Sequence, residues 1–138
     1  MVTIREWYER ANAVWPSDLP ELTMPEALRA ARKLWRYAAG SRHWQWDAIR
    51  PVYRKTQYTW IRRGILFVNH NKIEWIPGQG RAIGGWRTFV HDLGHCIDYH
   101  TGERRKAGRP HSKQHARLEI RLAKQVIQRG WLEGKLSD

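Results

Sequence analysis

Ile4, Trp7, Tyr8, Ala11 and Val14 recur every three to four residues, the spacing of one helix face, and predict a short first helix from Thr3 to about Val14. Pro16 and Pro20 end it. Thr23-Met24-Pro25-Glu26 has the form of a capping box with proline in the first turn, so a second helix should follow. Its apolar positions are Ala27, Leu28, Ala31, Leu34, Trp35 and Ala38, and Gly40 is placed to close it. Beyond residue 50 the period shortens. Val52, Tyr53, Tyr58, Trp60 and Ile61 predict one strand, Ile65 to Val68 a second and Lys72 to Ile76 a third. With Arg63-Gly64 and Asn69-His70-Asn71 as turns, the economical arrangement is an antiparallel meander. Gly78-Gln79-Gly80 and Gly84-Gly85 read as a flexible connection, without the lysine and hydroxyl residue of a phosphate-binding loop.

Helical spacing then returns. Phe89, Leu93, Cys96 and Ile97 form the buried stripe of a third helix from about Arg87 to His100, ended by Gly102. Residues 103–110 read as a basic loop. Ser112 can cap a last helix whose apolar face is Leu118, Ile120, Leu122, Val126 and Ile127, with Gly130 at its end. The expected fold class is α+β: N-terminal helices, a small antiparallel three-stranded sheet, then two further helices, all in one domain covering residues 1–138.

Composition bounds the function. The chain has 138 residues, 41% hydrophobic and 28% charged, which suits a folded domain rather than a disordered one. No apolar stretch approaches the ~20 residues of a membrane span. The charged N-terminus lacks the apolar run of a signal peptide, and the single cysteine, Cys96, cannot form an internal disulfide, so a reducing cytoplasm is the expected compartment. Twenty-five Lys and Arg against 13 Asp and Glu give a net charge of +12. Residues 1–28 carry −3, residues 29–87 carry +11 and residues 88–138 carry +4. Such a field attracts polyanions, with nucleic acid the usual one. Arg54, Lys55, Arg62, Arg63, Arg81 and Arg87 lie in or beside the predicted sheet, and Arg104, Arg105, Lys106 and Arg109 extend the stripe beyond the third helix. The competing reading is a solvated surface that only aids solubility. Nine tryptophans are mostly core material, with Trp60 and Trp75 able to stack on bases if exposed.

The sharpest chemical feature is His91-Asp92-Leu93-Gly94-His95. Histidines four apart share a helix face and can aim two imidazoles at one metal ion. Asp98 lies on the same face and can orient a ligand from behind, whereas His100 falls at the helix end, where it turns away. Thr88 to His95, preceded by Ile65-Leu66-Phe67-Val68 and Lys72-Ile73-Glu74-Trp75-Ile76 and followed by His111-Ser112-Lys113-Gln114-His115, resembles the zincin metallopeptidases, in particular the SprT-like family. The resemblance implies a zincin-like fold and one zinc held by His91, His95 and a third ligand near the start of the last helix. His111 fits the family pattern, with His115 and Glu119 as alternatives on the same segment. It also implies a protein substrate, association with DNA, and a general base next to the first histidine that takes the proton of a zinc-activated water. That base is glutamate in the family and Asp92 here, one methylene shorter, and Ser112 replaces the family's glycine. A shorter base has less reach, which leaves open whether the chain is an active peptidase.

Two other readings compete. The His91-Asp92 pair, with His100-Thr101-Gly102-Glu103 after it, is similar to HD-domain phosphohydrolases of the dNTP triphosphohydrolase branch. That resemblance implies an all-helical domain, with Asp92 on the metal and His70 or His43 as a further ligand. The third reading is a non-catalytic nucleic-acid-binding protein with a structural zinc.

Overall fold

The computed structural model describes residues 1–20, 22–40, 48–52, 60–62, 65–69, 74–76, 81–83 and 85–137. Helices dominate. Helix α1 spans Ile4–Val14 and takes its N-cap from Thr3, whose hydroxyl accepts from the Glu6 amide. Helix α2, Met24–Ala39, opens with the full Thr23–Glu26 capping box and closes at Gly40, whose φ of 67° is the left-handed value that favours glycine. Helix α3, Trp86–Thr101, carries the histidine pair. The expected basic loop is a short helix instead, α4, Glu103–Ala107. Gly102 at φ 84° separates it from α3, so the left-handed residue that stops one helix starts the next. Helix α5, Lys113–Gln128, begins at Ser112, whose hydroxyl accepts from the His115 amide, and a 3-10 turn at Trp131–Glu133 follows.

The β segments are short and depart from the expected meander. They are β1 (Ile49–Val52), β2 (Trp60–Arg62), β3 (Ile65–Asn69), β4 (Glu74–Ile76) and β5 (Arg81–Ile83). The single strand expected from Val52 to Ile61 is two strands that flank β3, in the order β1-β3-β2. Strand β1 pairs with β3 in parallel, Ile49 opposite Leu66, and β2 pairs antiparallel, Ile61 opposite Leu66. The sheet is therefore mixed, not antiparallel throughout. The continuous apolar run Ile65-Leu66-Phe67-Val68 is the sequence pattern of a central strand, and β3 is paired on both edges. Strand β4 does not join this sheet; it pairs with β5 in a separate hairpin, so residues 81–83 are strand where a flexible connection was expected.

One core binds these pieces. Trp15, Leu34, Trp35, Ile49, Leu66, Trp86, Phe89, Leu93, Cys96, Leu122 and Trp131 all belong to it. The predicted α3 stripe of Phe89, Leu93, Cys96 and Ile97 is buried throughout. On α5, Leu118, Leu122 and Val126 are buried, while Ile120 and Ile127 are only partly so. Helices α1 and α3 both pack on α5, and α3 also lies against α2 and β3. This packing presents the N-terminal half of α3 to the start of α5, where the histidines meet. Among the described residues no helix is long and apolar enough to cross a membrane.

Candidate metal centre

The α3 stripe decides where the histidines go. With Phe89, Leu93 and Cys96 turned into the core, His91 and His95 fall on the flank facing α5, part-buried. Their Nε2 atoms lie 3.1 Å apart. His111, exposed just before the α5 cap, brings its Nε2 to 3.3 Å from that of His91. His115, fully buried on the first turn of α5, stacks its ring on His95 with centroids 3.7 Å apart and planes 3° from parallel. His91, His95 and His115 each offer a ring nitrogen within 4.8 Å of the others, close enough to hold a metal ion.

Hydrogen bonds assign different tasks to these rings. The His91 Nδ1 atom is bonded to Oε1 of Glu119, a carboxylate 2% exposed on α5. A carboxylate only accepts, so Nδ1 carries the proton and the Nε2 lone pair of His91 points at His95 and His111. His115 is fully engaged: its Nε2 donates to the His91 carbonyl at 3.0 Å, and its Nδ1 accepts from the Tyr8 hydroxyl of α1 at 2.5 Å. Gly94 makes room for that ring, since a Cβ there would stand 3.1 Å from His115 Nε2.

The electrostatics follow the same division. Burial, reinforced by the neighbouring imidazoles, pushes His95 down to about 2 and His115 to about 3. His111 is also lowered, by burial and then by His91. These rings stay neutral and keep lone pairs to offer. Burial lowers His91 too, but the Glu119 carboxylate outweighs it and raises the pKa above the ordinary imidazole value. Burial pushes Asp92 up to about 7, opposed by the charge of His91 and helped by that of Glu119. Asp98 is 4% exposed, and burial followed by the charge of Glu103 lifts it to about 6.

The expected residues thus meet in part. His91 and His95 meet, and His111 reaches His91 at 3.3 Å; the group whose nitrogens all lie within 4.8 Å of one another is completed by His115, not by the expected His111, and Glu119 stands behind His91. Asp92 sits one residue along α3 from His91, outside the group of nitrogens close enough to share an ion. His100 turns away as expected and packs its ring 5.4 Å from Trp35. Tyr8 joins the site without a motif to mark it. It falls in the α1 apolar stripe, and the one signal in the sequence is a hydroxyl that must find a partner once buried. Of the expected nucleic-acid residues, Arg54, Lys55 and Arg63 lie outside the described residues, and Arg62 and Arg81 are placed only as strand positions. Arg87 is half-buried in the first turn of α3. Arg104 is half-buried and adds to the depression of His95, while Arg105, Lys106 and Arg109 are exposed on or just after α4. Trp60 and Trp75 are strand positions in β2 and β4. Compared with family models, curated protein sequences and solved structures, the chain matches none.

Proposed function

We propose that the protein is a zinc-dependent hydrolase of the metallopeptidase kind, with His91, His95 and His111 as ligands. The observation that carries the reading is that the Nε2 atom of His91 has those of His95 and His111 at 3.1 and 3.3 Å. A tetrahedral zinc about 2.0–2.1 Å from each ligand nitrogen sets those nitrogens about 3.3–3.4 Å apart. A proton on Nε2 of His91 can satisfy only one neighbour, whereas a cation satisfies both. His115 is close enough to be a ligand, but both its nitrogens already have partners, so it serves as a brace.

Zinc bound there supplies a Lewis acid that makes a water acidic near neutral pH and polarises a carbonyl. The chain's own residues do the rest. Glu119 holds the His91 ring and its tautomer, as carboxylates behind metal-binding histidines do. His115, held by Tyr8 and donating its amide to the Ser112 hydroxyl, fixes the turn that carries His111. Asp92, next to His91 on α3, is the carboxylate that would accept a proton and pass it to a leaving amine. The short strands before α3 and the histidine at the head of α5 support a zincin-like arrangement over an HD domain, for which 52–76 would be helical. Proteins, including those associated with DNA, are the substrates that the resemblance and the +12 charge favour.

Metal analysis of the purified chain beside His91→Ala tests the centre. About one zinc per chain, lost in the variant, is expected; no metal in the wild type and no uptake by chelated protein would overturn it. Peptidase activity is tested separately on unfolded protein substrates. Asp92→Asn should remove cleavage while zinc stays bound, and Asp92→Glu should keep or raise it. No cleavage by either the wild type or Asp92→Glu would leave the zinc structural, and loss of zinc in Asp92→Asn would favour the HD reading.

A further inference from the structure

Helix α2 places Arg29, Arg32, Lys33 and Arg36 at i, i+3, i+4 and i+7, along one face. The opposite face, with Ala27, Ala30, Ala31, Leu34 and Trp35, is buried. Like charges four apart repel, here twice over, in Arg29/Lys33 and Arg32/Arg36. Among the described residues no carboxylate pairs with Arg32, Lys33, Arg36 or Arg129. All five cations line one cleft of about 610 Å³ between α2 and the C-terminal end of α5. That volume lies within the roughly 300–1,000 Å³ of small-ligand sites. Tyr37, 45% exposed, stands in the same cleft, with the Arg121 guanidinium 5.6 Å from its ring centroid. Trp131, 5% exposed and packed against Trp86 at 6.5 Å, supplies a fixed wall.

We propose that this cleft is a second site, which takes a short stretch of single-stranded nucleic acid by its phosphates. Four of the five cations are arginines, whose planar fork matches phosphate oxygens better than a lysine's point charge does. Tyr37 gives a π-face to an unpaired base, a feature that an acidic peptide would not use. A concave opening admits one flexible strand; the bases of a duplex stay stacked and out of reach. Of the two large rings in the lining Trp131 is buried, so Tyr37 alone would be left to anchor a bilayer surface. The cleft is independent of the histidine cluster, because Arg129 follows His115 by fourteen residues along α5, about 20 Å of helix.

Fluorescence anisotropy with a labelled 12-nucleotide oligo-dT, on the full chain at 50 and 200 mM salt, tests this. Arg32→Gln/Arg36→Gln should weaken binding at least tenfold at the lower salt. It should also reduce the slope of log K against log salt by about 1.4, near 0.7 for each phosphate that is no longer neutralised. Arg129→Gln, at the other wall, should weaken binding about threefold to fivefold. Arg5→Gln/Arg10→Gln, exposed on α1 and outside the cleft, should stay within twofold of wild type. Zinc content and helical circular dichroism should be the same in all four proteins, so failure here and failure of the metal centre are separable. Unchanged binding in the Arg32/Arg36 variant, an equal loss in the α1 variant, tighter binding of duplex than of single strand, or binding only to phosphatidylserine vesicles would each overturn the proposal.

Discussion

Glu119 and Asp98 are both acidic and both almost fully buried, yet they stand in opposite situations. Glu119 has a donor, the Nδ1–H of His91, and works through it. Glu119→Gln keeps an acceptor but loses the charge that makes the imidazole a strong ligand. Zinc affinity should fall about 10- to 100-fold, with stoichiometry kept at saturating metal, as read by competition with a chromogenic chelator. Complete loss of the site would instead make Glu119 a ligand itself. Asp98 is held at a pKa of about 6 against an ordinary 3.8, so folding favours its protonated form. Its help is complete below pH 4 and is lost as the pH rises through 6. In the metal-free protein Asp98→Asn should therefore stabilise the fold at pH 7.5, by on the order of 2 kcal/mol, and have no effect near pH 3.5. Urea midpoints at the two pH values measure this. His95 and His115 act with the opposite sign: their neutral burial helps above pH 6.5 and is lost on acidification. In the wild type the buried carboxyls take up protons on folding over the range in which these imidazoles release them. Removing Asp98 should therefore also steepen the loss of stability between pH 6 and 4.

At the scale of elements, α3 runs unbroken from Trp86 to Thr101 but carries a glycine that serves its neighbour. Gly94 is a poor residue for a helix interior. It is there because His115 Nε2 lies 3.1 Å from where its Cβ would be. Gly94→Ala should raise local helix propensity yet push the His115 ring from its bonds with the His91 carbonyl and Tyr8. A net loss of about 1–2 kcal/mol in thermal unfolding and weaker zinc binding are expected. A gain in stability with full zinc affinity would show that the ring is not held there. Such a close approach leaves no trace in periodicity, whereas the elements themselves were legible. Thr23–Glu26, Ser112 and the apolar stripes of α2, α3 and α5 are local signals, and local hydrogen bonds and one buried face decide them. The strands were legible only as segments. Pairing is set by non-local competition for edges, so nothing between Val52 and Ile61 announced that β1 and β2 would take opposite sides of β3. The α4 turn was hidden by its charge, since Arg104, Arg105 and Lys106 present no apolar stripe.

The candidate centre joins distant parts of the chain, and that was legible only in outline. The i, i+4 pair on α3 comes from spacing alone. Choosing among His111, His115 and Glu119 needs the angle at which α5 crosses α3, which the core between them sets through Leu93, Leu118 and Leu122. Tyr8 enters because α1 packs on α5 and delivers its hydroxyl to His115. In one centre, then, α1, α3 and the head of α5 depend on one another, and an ion that binds only the folded arrangement should stabilise the whole domain. At free zinc 100 times its dissociation constant, linkage supplies about 2.7 kcal/mol, which for a chain of this size is a rise of roughly 10 °C in the unfolding temperature. Adding a chelator at pH 7.5 should remove that rise, and restoring zinc should return it. His111→Ala should lose most of the zinc-dependent rise while unfolding at nearly the wild-type temperature without metal, because an exposed ring contributes little packing. Tyr8→Phe should behave differently. It leaves His115 Nδ1 without its donor, so it should lower the metal-free temperature as well as the zinc increment. If chelator has no effect on the wild type, or if His111→Ala keeps the full rise while His115→Ala with an intact fold loses it, the ion is either absent or held by the other histidine.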